Sequence, residues 1–321
     1  MPLSDFPHVF LLAFAIPFGL AFGSFLNVVI YRLPRGENLA YPGSACPHCG
    51  TPIRGYDNIP VLSWVFLRGK ARCCKAPISP RYPLIELVGG LAAYAIIEVI
   101  VMGLPSDTSI WKALGLFCAH LALSLGLVAA AFIDLEHMIL PDEITLGGAA
   151  LGFATSFVRP DIDWKQSLIG GATGFLMVWL PFDLLYRKLR GQAGMGLGDA
   201  KLLLLAGAWF GWAGALFALF VGAFQGTLGA IVMLLSRGQI NEPEAVQRQR
   251  EELLLAIEAA EGEEREALLA ELEADPLAHE SDGSFSQARL AFGPFLVLAI
   301  IEYQFFGPYL LSELQAWMLG V

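Results

Sequence analysis

The chain reads as an all-α, polytopic integral membrane protein with about eight transmembrane helices and a small cytoplasmic Cys-containing loop domain. Three observations predict this. Hydrophobic residues make up 56% of the 321 positions and charged residues only 16%. The mean hydropathy of +0.59 is higher than a water-exposed surface tolerates. Apolar runs near the roughly 20 residues needed to cross a bilayer recur along the whole chain. The same composition excludes disordered, collagen-like and small disulfide-scaffold classes.

Taken in order, apolar spans are expected near 8–31, 83–103, 110–133, 143–158, 166–187, 200–211, 213–236 and 290–318. The fourth and sixth are short, and the sixth reads equally as one arm of a hairpin with the seventh. The first lacks a basic n-region and a small-residue cleavage site, so it is expected to be a retained helix and not a signal peptide. These spans divide the chain into a first helix (1–31), a Cys-containing loop domain (32–82), a membrane core (83–236), an acidic helical insertion (237–289) and a last helix (290–321).

Loop charge sets the orientation. Residues 32–82 carry Arg32, Arg35, Arg54, Arg68, Lys70, Arg72, Lys75 and Arg81 against only Glu37 and Asp57, which places that loop in the cytoplasm. The turn near 103–109 has no Lys or Arg and faces outward. Arg187, Lys188, Arg190 and Lys201 bring 188–200 back inside, and alternation puts the N-terminus outside and 134–142 inside. The overall charge of −10 is local: residues 240–282 hold fourteen Asp/Glu against three Arg, while the remainder is close to neutral. Leu253–Leu255, Ile257, Leu268, Leu269 and Leu272 recur there at helical spacing, with Gly262 and Asp275–Pro276 as breaks. A solvated helical hairpin accounts for that stretch.

Two groups of residues carry chemistry. Cys46-Pro-His48-Cys49 and the adjacent pair Cys73-Cys74 share the cytoplasmic loop. In a reducing compartment such thiols point to a tetrahedral Zn²⁺ and not to disulfides. Adjacent Cys side chains are expected to diverge, which leaves reduced thiols as the competing reading and His48 as a substitute ligand. Cys118 lies within the third span and reads as a packing residue.

The second group is a pair of carboxylates. Asp134 ends the third span, and Asp199 opens the sixth within Gly194-Met-Gly196-Leu-Gly198-Asp199-Ala-Lys201. Ionisable groups at a bilayer edge are costly and mark function. Asp199 and Asp142 also suit a helix N-cap. Asp134 is harder to explain so, because the C-terminal end of a helix disfavours an anion. Two carboxyls a few ångströms apart share one proton. The ionised member can then activate water while its protonated partner polarises a carbonyl. Gly196 and Gly198 would admit a substrate strand close to the backbone. A transporter that relays protons through the same acids is the rival from another class. No Walker or Rossmann-type glycine loop follows a strand, and no nucleic-acid partner is expected.

Seven stretches, in order, carry a resemblance: Gly23-Ser-Phe-Leu-Asn27-Val-Val-Ile-Tyr-Arg-Leu-Pro34, Cys46-Pro-His-Cys49, Tyr56-Asp-Asn-Ile-Pro-Val-Leu-Ser-Trp64, Pro77-Ile-Ser-Pro-Arg-Tyr-Pro-Leu-Ile-Glu86-Leu, Ile133-Asp134 through Leu140-Pro-Asp142, Gly196-Leu-Gly-Asp199-Ala-Lys201 and Phe292-Gly-Pro-Phe295. Together they resemble the type IV prepilin peptidases, bifunctional leader peptidases and N-methyltransferases of the Gly-x-Gly-Asp membrane aspartic protease class. The resemblance implies catalytic carboxylates at Asp134 and Asp199, with Asp142 in the motif but not catalytic. It implies cleavage of a basic leader from type IV prepilins or type II secretion pseudopilins at the cytoplasmic face of the bacterial inner membrane. Methylation of the new N-terminus by S-adenosylmethionine would follow, although a peptidase without methylation remains an alternative. Glu86 stands as an interfacial charge or a methyl-donor contact, and Asn27 as an interhelical hydrogen-bonder. Two departures are visible: Ala71 stands where a Cys is usual, with Cys73 displaced beside Cys74, and the acidic insertion has no counterpart in the common pattern.

Overall fold

The computed structural model describes residues 1–186, 188, 196–237, 244–274 and 291–319. The described residues are helical, with isolated β-bridges and no strand. In chain order the helices are α1 (His8–Arg32), α2 (Leu62–Phe66), α3 (Arg81–Ala95), α4 (Ile110–His137), α5 (Asp142–Thr155), α6 (Trp164–Val178), α7 (Leu197–Arg237), α8 (Glu244–Ala259), α9 (Gly262–Ala274) and α10 (Gly293–Leu319). Wider π-helical turns extend α3 over Ile96–Val101 and α6 over Trp179–Leu185. Over its described residues, each of the eight expected apolar stretches lies mostly on a helix. Five segments among the described residues are long and apolar enough to cross a membrane: His8–Arg35, Arg81–Val101, Ile110–His137, Trp164–Leu185 and Leu197–Ser236.

The last of these is two arms. Gly211 adopts φ 71°, ψ −174°, which breaks the helix. A methyl group placed on Gly174 of α6 would lie 2.2 Å from the Leu203 carbonyl oxygen and 3.1 Å from Ala215 Cβ. Those two residues would be about 18 Å apart on a straight helix. The chain therefore folds back at Gly211, and residues 197–210 lie beside residues 212–237. The carbonyls freed at the corner find partners. Ser167 Oγ donates to Ala208 O at 2.6 Å, and Arg159 Nη2 donates to Trp209 O at 2.7 Å.

Helix α4 is central. One side packs Leu123, Leu127 and Ala130 into a core shared with α5, α6, α7 and α10. The other packs Phe117, Leu121, Leu125, Ala129 and Ile133 against α1 and α3. Glycine brings backbones together in both halves. A Cβ on Gly89 of α3 would fall 2.4 Å from Gly19 O of α1, and one on Gly207 of α7 only 2.0 Å from Gly170 O of α6. The Gly-x₃-Gly repeats Gly19/Gly23, Gly170/Gly174 and Gly207/Gly211 are the sequence sign of such approach.

Helix α8 of the acidic insertion touches α4 and buries Ile257. It meets α9 across Gly262, whose φ is +60°, as a helical hairpin requires. The Asp275–Pro276 break, Gly194, Met195, Arg187 and Arg190 lie outside the described residues.

Gly170→Leu should destabilise the fold by about 1–3 kcal/mol through overpacking against Gly207. Gly147→Ala, which meets nothing within 4 Å, should not. Thermal melting in detergent checks the pair, and equal melting temperatures would contradict the close contact.

Candidate active site and cysteine cluster

Asp134 lies one turn before the end of α4, so the burial of that helix buries the carboxylate; the residue is 6% exposed. The backbone N–H of Gly293 donates to Asp134 Oδ2 at 3.0 Å. Gly293 is the first residue of α10, and Pro294 follows it. The unpaired amide and dipole at a helix N-terminus favour an anion. This answers the difficulty of an acid at the wrong end of its own helix.

Asp199 sits in the first turn of α7 and is half-buried. It is inside the helix and is not an N-cap; its N–H donates to Gly196 O at 3.1 Å. A Cβ on Gly196 would lie 3.5 Å from Asp199 Oδ2, and one on Gly198 would lie 3.1 Å from Leu140 Cβ. Leu140 also reaches Gly293, whose Cβ would meet Leu140 Cδ2 at 3.2 Å and Asp134 Oδ2 at 2.6 Å. One leucine thus joins the start of α7 to the start of α10. The two carboxylates, 65 residues apart in sequence, converge at one end of the bundle, where Leu140 and Gly293 join the helix starts that carry or face them. Asp142 is elsewhere engaged, with its Oδ1 accepting from Lys201 Nζ at 2.6 Å.

Three supports of this end take roles that the sequence did not assign to them. Arg81, the first residue of α3, pairs with Glu136 of α4 and lies 4.9 Å over the Phe132 ring. Glu86 Oε2 accepts the Val61 N–H at 2.7 Å, fixing the loop domain to α3 at a residue with φ +60°. Gly293 was visible only as Gly-Pro before an apolar run. His137 is buried, and its Nε2 has no partner. Asn27 Nδ2 donates to Tyr82 O at 3.3 Å, the expected interhelical bond between α1 and α3.

In the loop domain, the sulfurs of Cys46, Cys49, Cys73 and Cys74 all lie within 4.8 Å of one another. Cys46 and Cys74 are 3.7 Å apart, and Cys49 and Cys73 are 3.3 Å apart. Two similar turns deliver them. Gly50 N–H returns to Cys46 O and Lys75 N–H to Ala71 O, with Gly50 and Lys75 both at positive φ. Ala71 therefore occupies the place of Cys46 in the second turn. The adjacent pair, expected to diverge, converges because Lys75 takes the left-handed conformation that closes the turn. Four thiolates about 2.3 Å from a shared centre satisfy a tetrahedral zinc, so the cluster fits this ion; His48 is not part of it. The thiols are unequal. The backbone N–H of His48, then that of Cys49, lowers Cys46. The Thr51 hydroxyl, then its backbone N–H, holds Cys49 down at about 6. Facing Cys49, the Cys73 thiol is pushed up to about 12.

Comparison with known proteins agrees with this architecture. Residues 17–102 match the bacterial peptidase A24 N-terminal domain, and residues 121–231 match the type IV leader peptidase family. A prepilin leader peptidase/N-methyltransferase of Aeromonas hydrophila is 39% identical over 244 residues, 67% of this chain and 80% of that protein. The chain belongs to the type IV leader peptidase family. It is therefore a membrane-embedded peptidase. Proteins of the same name from Klebsiella pneumoniae and Burkholderia pseudomallei are 40% identical over 200 residues (60% of this chain, 82% of that one) and 36% identical over 271 residues (75% and 84%). No solved structure matches the chain. The acidic insertion begins beyond the end of the second family match.

After chelator treatment at pH 7, Cys49 lies above its pKa and is thiolate, whereas Cys73 lies far below its own and stays protonated. Iodoacetamide should therefore label Cys49 first. Peptide mapping reads the order, and equal labelling would contradict the inequality.

Proposed function

We propose that the chain cleaves the leader peptide of type IV prepilins or type II secretion pseudopilins, with Asp134 and Asp199 as the catalytic pair. What carries this reading is the convergence of two carboxylates from remote helices on one glycine-lined end, with the first amide of α10 donating to Asp134. The pair shares one proton. The ionised member takes a proton from water, and the oxygen attacks the scissile carbonyl carbon. The protonated member donates a hydrogen bond to the carbonyl oxygen as charge develops there. Collapse breaks the C–N bond and returns a proton to the leaving amine. No acyl-enzyme forms. Gly196 and Gly198, without side chains, let the substrate strand approach Asp199.

The cytoplasmic face of the inner membrane is the site of cleavage in this reading. The basic residues of 32–82 lie at the same end as the carboxylates, as the Arg81–Glu136 pair requires, and basic loops stay inside. A basic leader would remain there while the apolar part of the substrate stays in the bilayer.

The relatives are named N-methyltransferases as well; in this reading the new N-terminus is then methylated, with S-adenosylmethionine as the methyl donor. Glu86 Oε2 accepts from the Val61 amide, so the residue holds the loop domain in this reading. Zinc on Cys46, Cys49, Cys73 and Cys74 would lock the two turns of that domain together.

Incubation of the detergent-solubilised chain with a prepilin, with and without S-adenosylmethionine, tests this by intact mass. Loss of the leader is expected in both arms, and the added methyl mass only with the donor. Asp134→Ala and Asp199→Ala should each reduce cleavage by at least ~10²-fold while the helical spectrum is retained. Normal processing by either folded variant would remove the mechanism. Gly293→Ala should also slow cleavage, because its Cβ would fall 2.6 Å from Asp134 Oδ2.

A further inference from the structure

At the end of the bundle opposite the aspartates, the corner of α7 encloses space that peptide cleavage does not use. A cavity of about 500 Å³ is lined by His120, Arg159, Asp161, Gly211, Tyr303 and Gln304 among others. A second crevice, bounded by Phe157 and Trp164, shares Arg159, Pro160 and Asp161 with it. Arg159 stands between the two.

The polar groups here are unusual for such a depth. The Arg159 side chain is 1% exposed. Its Nε and Nη2 bond to Asp161, and Nη2 also caps Trp209 O. The guanidinium lies 5.0 Å over the Trp209 ring. Nη1 has no partner. On α4, His120 is likewise buried, packs edge-on to Trp209 at 5.1 Å, and leaves Nδ1 without a partner. By contrast Gln304, in the same wall, is satisfied by Ser124 at 3.0 Å. Buried polar atoms left unpaired cost free energy; Arg159 Nη1 can only donate, and His120 Nδ1 donates in one of its two tautomers, so an acceptor in the cavity satisfies both.

The surroundings indicate which acceptor. Trp111, Trp164 and Trp212 are exposed around this end. Tryptophans at such a level mark the membrane–water interface, where lipid headgroups lie. Asp161, 58% exposed at the mouth, already balances the charge of Arg159. The site therefore offers hydrogen bonds and not a net positive charge. A planar guanidinium with a free edge suits a phosphate oxygen, and the apolar walls suit the glycerol and first methylenes.

We propose that this cavity binds the phosphodiester of a glycerophospholipid from the leaflet opposite the aspartates, with Arg159 Nη1 and His120 Nδ1 donating to its oxygens. Native mass spectrometry of the full-length chain in detergent, titrated with phosphatidylglycerol, phosphatidylethanolamine or inorganic phosphate, tests this. One molecule of either lipid should bind per chain, and inorganic phosphate should neither bind nor displace it. Arg159→Gln should weaken lipid binding by about tenfold. Arg159 also caps the α7 corner, so Ala213→Trp, which fills the cavity from its wall, serves as a second variant with melting temperature as its folding control. Lipid retention unchanged in folded Ala213→Trp overturns the site. Binding of inorganic phosphate alone overturns the lipid as its source. Absence of any bound phospholipid, which leaves the donors to water, or displacement of the lipid by a substrate-derived apolar peptide, overturns it as well.

Discussion

Backbone touches backbone where Gly170 meets Gly207, and the placement of the site follows from that contact. Inside a bilayer, apolar helices gain little by leaving lipid for one another, so close van der Waals approach and satisfied polar groups must hold them. Missing side chains on α6 and α7 let the first arm of α7 settle against α6, while Leu205 and Trp209 press onto Gly148 and Gly152 of α5. The arm can then go no further before the corner at Gly211. Its other end, where Asp199 sits, is fixed against Leu140 by the same rigid placement.

Asp134 illustrates a second kind of constraint. Its helix is packed on both sides, so the carboxylate is largely buried, and the dipole of its own helix opposes its charge. The start of α10 supplies what α4 withholds. A short-range amide and an oppositely directed dipole come from a segment 159 residues away. The acid is held in position by a backbone amide, and among the described residues no ion pair to it is formed.

The spans were legible because apolar length is a composition property, and Asp134 and Asp199 were legible because charge is rare in such runs. The fold-back at Gly211 was half legible. A short run and a full-length one meet at Gly211, but only packing against Gly174 distinguishes a corner from a kink. Gly293 was not legible as a partner of Asp134, since a backbone amide has no sequence signature beyond the Gly-Pro that frees it. The adjacent Cys73 and Cys74 misled for a related reason. Side-chain spacing was read without the turn, and the turn is set by Lys75, a residue that does not advertise positive φ. Arg81 was legible only as a loop charge, because its partner Glu136 is not a sequence neighbour.

That second turn bears on how such clusters arise. Ala71 keeps the shape of the position it occupies while a sulfur stands two places later, so the turn holds its form without a thiol at its first position. A lineage could therefore shuffle a thiol along its knuckle without passing through a broken fold, and searches keyed to donor intervals would overlook the descendants.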